Sequence, residues 1–106
     1  MNAPPPVPQL PSIWQHLFRT PHRLSWVNAG GVNTRIIEAG AADAPPVLLL
    51  HGTAGSLENF CANYAAYGQH FRVVGIDLLG CGLTDKPEFD YLIKDYAEHV
   101  HAVMEA

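Results

Sequence analysis

A chain of 106 residues can form one small domain but not two. Its apolar residues, 48% of the total, suffice for a packed core, while six Lys and Arg scattered through a chain of net charge -4 make no basic patch for nucleic acid. Two cysteines are too few for a disulfide framework, and the apolar run at residues 47–50 is far too short to span a bilayer.

The opening Met1-Asn2-Ala3-Pro4-Pro5-Pro6 has neither the basic region nor the apolar run of a secretory signal. A cytoplasmic protein without nucleic-acid or membrane partners is therefore expected. Five of the nine prolines fall in the first eleven residues, which predicts an extended arm rather than a helix or a central strand. Ser12 is placed to cap a short helix with Ile13, Trp14, Leu17 and Phe18 on one face, ended by Pro21. Residues 1–21 thus read as an arm plus a short helix, and residues 22–106 as the folded domain.

Between His22 and Ala39 the period changes to two. Leu24 and Trp26 alternate with polar neighbours, as do Val32, Thr34 and Ile36, and Asn28-Ala29-Gly30-Gly31 is a hairpin turn signal. A loop at 40–46 leads to Val47-Leu48-Leu49-Leu50, an unbroken apolar run that suits a strand buried on both faces. Ser56 then caps a predicted helix running to Gly68. Glu58 lies in its first turn, and Leu57, Phe60, Cys61, Tyr64 and Ala65 form its stripe. Residues 71–76 predict another strand, 78–87 a glycine-containing loop, and Asp90 a cap for a last helix with Ile93, Tyr96, Ala97, Val100, Val103 and Met104 inward. The tyrosines at 64, 67, 91 and 96 are expected on helices, as packing residues. The class is α/β: an antiparallel hairpin, then strand–helix–strand–helix with the two later strands parallel and joined by a right-handed crossover.

Two segments carry chemistry. Leu49-Leu50-His51-Gly52-Thr53-Ala54-Gly55 follows a buried strand, and small residues there let the backbone turn sharply and leave amide hydrogens free to hold a developing oxyanion. Taken alone, this segment serves equally well as a tight strand-to-helix turn. The second is Asp77-Leu78-Leu79-Gly80-Cys81-Gly82-Leu83-Thr84-Asp85-Lys86-Pro87, after the next strand and about 25 residues on.

A strand ending in His-Gly, then a helix, then a strand ending in Asp-x-x-Gly-x-Gly-x-Thr-Asp-Lys-Pro resembles the α/β-hydrolase superfamily from about Leu24 to the last residue. Within it, the likeness is to serine-dependent hydrolases that cleave carbon–carbon bonds in ring-cleavage products (meta-cleavage products), and to related esterases. The resemblance implies a catalytic contribution from Thr53 through its backbone amide in the oxyanion hole. It gives His51 and Gly52 the shaping of that loop, and Asp77, Gly80 and Gly82 the shaping of the neighbouring one. It implies a small carbonyl substrate in the complete enzyme, with no cofactor and no metal.

The superfamily also needs Gly-x-Ser-x-Gly at a strand–helix turn, followed by an acid and then a histidine. No such pentapeptide occurs: Ser56 is framed by Ala54 and Glu58, Thr84 has Gly82 before it but Lys86 after it, and Ser12 and Ser25 have no glycine frame. His51 precedes any nucleophile in that order and so is not its base. The expectation is an N-terminal half of the hydrolase sheet that stops before the nucleophile elbow, inactive alone. The strand at 47–50 would lie at its sheet edge and invite self-association. A non-catalytic binding or assembly module is the reading from another class. Haloalkane dehalogenases tend to place Asn where Thr53 stands, and epoxide hydrolases Pro where Ala54 stands, so both are secondary readings.

Other sites fail on spacing. Gly80-Cys81-Gly82 has Asp85 at the third glycine position of a dinucleotide fingerprint, and a Walker-type Gly-Lys-Ser/Thr is absent. His99 and His101 point about 200° apart on a helix, a poor metal pair, and are expected at the surface. No base is fixed near Cys81, which reads as an ordinary loop cysteine.

Overall fold

The computed structural model describes residues 12–106; the proline arm at 1–11 lies outside the described residues. The elements in order are α1 (Ile13–Arg19), β1 (Arg23–Ala29), β2 (Val32–Ala39), β3 (Pro46–Leu49), a 3₁₀ turn (Leu57–Phe60), α2 (Tyr64–Gly68), β4 (Arg72–Ile76) and α3 (Ile93–Glu105). The four strands form one sheet in the order β1-β2-β4-β3. β1 and β2 are an antiparallel hairpin closed at Ala29↔Val32, β2 pairs antiparallel with β4, and β3 runs parallel to β4. This is the α/β class read from the sequence, with β3 at an edge.

Alternation along β2 sends Ile36 and Ile37 to opposite faces, and each seeds a core. Ile37, Ala39 and Val73 pack with Leu17, Leu57 and Tyr64 on one face. Ile36, Ile76 and Ala29 pack with Val103 of α3 on the other. The α3 cover is incomplete: Val27, Ile36, Leu48, Val74 and Val103, with the charged Glu38 and Arg72, line a groove of about 460 Å³ across the sheet face near the end of α3.

Several local expectations are corrected. Ser12 does cap α1, its Oγ accepting from the Gln15 N–H while the Gln15 side chain accepts from the Ser12 N–H. Only Leu17 of the expected face is buried, however; Ile13, Trp14 and Phe18 are exposed because this short helix reaches the core through a single residue. The helix expected over 57–68 is two pieces. Ser56 makes no side-chain cap and donates instead to Glu58, and the Asn59 and Cys61 N–H groups bond carbonyls three residues back, those of Ser56 and Glu58, so the first piece is a 3₁₀ turn. Among its stripe, Leu57 and Tyr64 are buried and Ala65 is exposed.

The last helix begins at Ile93, and it is the Asp95 carboxylate, not Asp90, that accepts from the backbone at its start, through the Leu92 N–H. Ile93, Ala97 and Met104 face outward, because their spacing puts them on one side of α3, turned away from the buried His99 and Val103. His99 is buried, contrary to expectation. Its Nδ1 accepts from the Leu79 N–H at 3.1 Å, so its Nε2–H donates to Thr34 Oγ1 at 2.9 Å. His101 is exposed, near Glu105. Tyr91 precedes α3 instead of lying on it, with φ +54° and its hydroxyl donating to the Pro87 carbonyl. No helix among the described residues is long and apolar enough to cross a membrane.

Candidate functional site

Parallel pairing of β3 with β4 brings the two motif segments side by side, since both follow the C-terminal ends of those strands. The first segment leaves β3 at Leu50 and turns at Gly52–Gly55, where the Gly55 N–H bonds the Gly52 carbonyl at 3.1 Å. Ala54 has φ +59°, the positive value this kind of turn demands at its third residue. Thr53, at the second position, is exposed, and its backbone N–H donates no hydrogen bond among the described residues.

Both ends of the turn are tied to the start of the second segment. In front, buried His51 accepts from the Leu78 N–H through Nε2 at 3.0 Å. That bond leaves the proton on Nδ1, which donates to the Gly52 carbonyl at 2.7 Å. Behind, the Leu57 N–H donates to Asp77 Oδ1 at 2.8 Å. The exposed turn thus hangs between two anchors on consecutive residues, Asp77 and Leu78.

Asp77 is fully buried and serves as a hub. Its carboxylate accepts from Leu57, from the Leu83 N–H at 2.9 Å, and from Arg35 Nε at 2.7 Å and Nη2 at 3.2 Å. Its carbonyl accepts from Thr84 Oγ1 at 2.8 Å, and that hydroxyl in turn accepts from the Arg35 N–H. Four charge-assisted or backbone donors are the kind of compensation a buried carboxylate requires.

The glycines of the second segment make room for this hub. Gly82 has φ +52°, and a Cβ there would run into the Asp77 carboxylate. Gly80 has φ +75°, its N–H bonds the Asp85 carbonyl, and the Tyr91 ring lies against it. Asp85 closes the segment onto β2 by accepting from the Asn33 N–H at 2.9 Å.

Arg35 of β2 was not singled out in the sequence. Besides chelating Asp77 it donates through Nη2 to Glu58 Oε2 at 2.7 Å, and Ser56 Oγ donates to the same oxygen at 2.6 Å. Burial opposes the guanidinium's charge, but the Asp77 and Glu58 carboxylates outweigh it and raise the Arg35 pKa. Burial pushes Glu58 up, and the hydrogen bonds from Arg35 and Ser56 overcome this and hold its carboxyl below the usual range. Tyr64 crosses beneath, donating to the Leu57 carbonyl at 2.6 Å. Burial, then the charges of Glu58 and Asp77, keep it neutral by raising its pKa.

Cys81 is half-buried in the loop, its N–H bonded to the Leu78 carbonyl. Among the described residues no group of three His, Cys, Asp or Glu side chains is placed to hold a metal ion.

The family model of the alpha/beta hydrolase fold matches residues 45–106, more than half of the chain and both loop segments. The chain belongs to the α/β hydrolase fold family. This α/β hydrolase chain is 38% identical over 84 residues to 2-hydroxy-6-oxo-6-(2'-aminophenyl)hexa-2,4-dienoic acid hydrolase of Metapseudomonas resinovorans, which covers 76% of the chain and 28% of that relative. Among solved structures it is similar to a serine hydrolase involved in carbazole degradation, with TM-score 0.69 and 34% identity over 81% of this chain and 34% of the other. It is also similar to a haloalkane dehalogenase loop variant from Bradyrhizobium elkanii, with TM-score 0.76 and 27% identity over 79% and 28% of the two chains. The matched stretches span only 28% of the Metapseudomonas resinovorans relative, 30% of a 2-hydroxy-6-oxo-2,4-heptadienoate hydrolase of Pseudomonas putida and 17% of a Mycobacterium bovis protein.

Proposed function

We propose that this chain is the N-terminal part of a serine hydrolase domain acting on an ester, or on a carbon–carbon bond beside a carbonyl, in a small substrate. In this reading Thr53 supplies one oxyanion-hole donor through its backbone N–H. The observation that carries it is that exposed Thr53 has a backbone amide unpaired among the described residues, on a turn anchored at both ends. A donor held in place before charge develops stabilises a tetrahedral oxyanion without reorganising at the moment of reaction. His51 and Gly52 hold the front of the turn, while Asp77, Gly80 and Gly82 shape the loop it rests on. The nucleophile, acid and base belong to sequence beyond these 106 residues, since no glycine-framed serine occurs in them.

Similarity to the dienoic acid hydrolase of Metapseudomonas resinovorans, and to the serine hydrolase of carbazole degradation, supports the carbon–carbon branch of this reading. The dehalogenase and epoxide-hydrolase readings are weaker. Thr53 lacks the side-chain amide of Asn, and φ +59° at Ala54 is a value that proline's ring cannot adopt. The reading as a non-catalytic assembly module draws on the β3 edge and the groove across the sheet face near the end of α3.

Purified chain assayed against short p-nitrophenyl esters tests the proposal. No turnover above buffer is expected. Turnover that survives repurification and is lost in Ser56→Ala or Cys81→Ala would place the nucleophile within these residues and overturn it.

A further inference from the structure

The turn bearing Thr53 rests on Asp77, but Asp77 is itself held by a residue outside both motif segments. We propose that Arg35, on β2, is a positioning residue for the oxyanion turn, acting through Asp77 and Glu58. The functional meaning of this proposal rests on the Thr53 reading; its geometry does not.

Arg35 has one neighbour on each side of the Leu57 anchor. Nε and Nη2 grip both oxygens of Asp77, whose Oδ1 accepts the Leu57 N–H. Nη2 also reaches Glu58, one residue further along the 3₁₀ turn. The guanidinium therefore joins the residue that anchors the turn to the residue that follows the anchor. Its side chain is only 11% exposed, that of Glu58 17% and that of Asp77 0%, so water competes little for these bonds.

Planarity matters here. A guanidinium presents a rigid fork of donors to two carboxylates, whereas an ammonium is a point charge that cannot satisfy the same set at these distances. β2 is also the strand to which the second segment is closed, through Arg35 N–H to Thr84 and Asn33 to Asp85. One strand thus fixes the spacing of both loops. A residue that only stabilised the sheet would need no contact with Glu58.

Backbone amide exchange on the full 106-residue chain tests this, comparing Gly55, Leu57 and Leu83 with the β2–β4 ladder at Ile37 and Gly75. In Arg35→Lys, exchange at the three loop amides should rise about tenfold while the ladder changes by less than about twofold, the signature of local opening. Glu58→Gln, which keeps the Asp77 pair, should raise Gly55 and Leu57 and spare Leu83. Should Arg35→Lys fail to fold, Glu58→Gln alone decides, by the split between Leu57 and Leu83. Loop exchange that rises only in step with the ladder, or a Glu58→Gln variant with no split, overturns the positioning role. These readouts do not involve the Thr53 amide, so their failure is distinct from failure of the oxyanion reading.

Discussion

At the C-terminal ends of β3 and β4, polar groups find partners within a few ångströms, and even a fully buried carboxylate has four donors. Along the outer side of β3 the reverse holds: among the described residues the strand pairs only with β4, and the sheet face under α3 keeps an open groove lined by residues of all four strands, Glu38 and Arg72 among them. The loop end is determined by contacts within these residues. The edge, by contrast, has its sheet hydrogen bonds on one side only among the described residues. Loop geometry and sheet completion are therefore separable properties of this chain, and they should break under different perturbations.

The largest effect is expected at the loop end. Asp77→Ala strands the Arg35 charge and leaves the Leu57 and Leu83 N–H groups without acceptors, a loss of roughly 3–5 kcal/mol for breaking a buried pair. A domain of this size has roughly 5–15 kcal/mol of stability in total, so thermal melting followed by circular dichroism should show a midpoint lowered by tens of degrees or no cooperative transition. A cooperative melt within a few degrees of wild type would show that the hub is dispensable.

The edge should fail by association instead. Val47, Leu48 and Leu49 carry no charge that would discourage pairing with a second chain, and we propose that the chain self-associates there. Sedimentation velocity over a concentration series should give a rising weight-average coefficient. A sharp monomer at high concentration, with a cooperative melt, would show that the chain protects its own edge.

A smaller effect separates the α3 seam from both. Burial lowers the His99 pKa from its usual 6.5, so the fold favours the neutral imidazole that Leu79 and Thr34 require. The unfolded chain binds the proton first as pH falls. This contribution is complete above about 6.5 and declines below it. Asp95 and Glu98 line the cavity beside His99. Glu58 and Glu38, both held below the usual 4.5, add a second loss at lower pH. Denaturant midpoints measured from pH 8 to pH 5 should fall for wild type and flatten for His99→Gln. An equal slope in both would remove His99 as the cause.

Much of this was legible in the sequence, for reasons particular to each element. The Gly30-Gly31 turn and the Ser12 cap act through their nearest neighbours, and local chemistry decides them; the run at 47–50 does form a strand, Pro46–Leu49, but one that is half-buried rather than buried on both faces, with Leu50 exposed, because it pairs on one side only among the described residues. Arg35 was not legible, because a charged residue in an alternating strand reads as solvent-facing, and its partner lies 42 positions away. His99 was misread for the same cause: its partners are Thr34, 65 positions distant, and a backbone amide, which no pattern of side chains encodes. The helix over 57–68 failed where the backbone bonds three residues back instead of four, Asn59 to Ser56 and Cys61 to Glu58, a choice that the apolar stripe does not encode. The glycines at 80 and 82 were seen as loop formers, yet the carboxylate that Gly82 must clear became visible only in three dimensions.

The central claim concerns one amide, and it is tested most directly in a chimera in which the 84 matched residues of this chain replace their counterpart in the Metapseudomonas resinovorans hydrolase. Kinetics of the chimera with its dienoate substrate would be compared for Thr53→Ala and Thr53→Pro, with circular dichroism showing all three folded. A backbone donor survives in alanine and is absent in proline, so Thr53→Ala should lie close to the parent and Thr53→Pro should lose about 10²–10³ in kcat. Equal rates for Thr53→Pro and the parent would contradict the account, as would a loss in Thr53→Ala as large as that in Thr53→Pro.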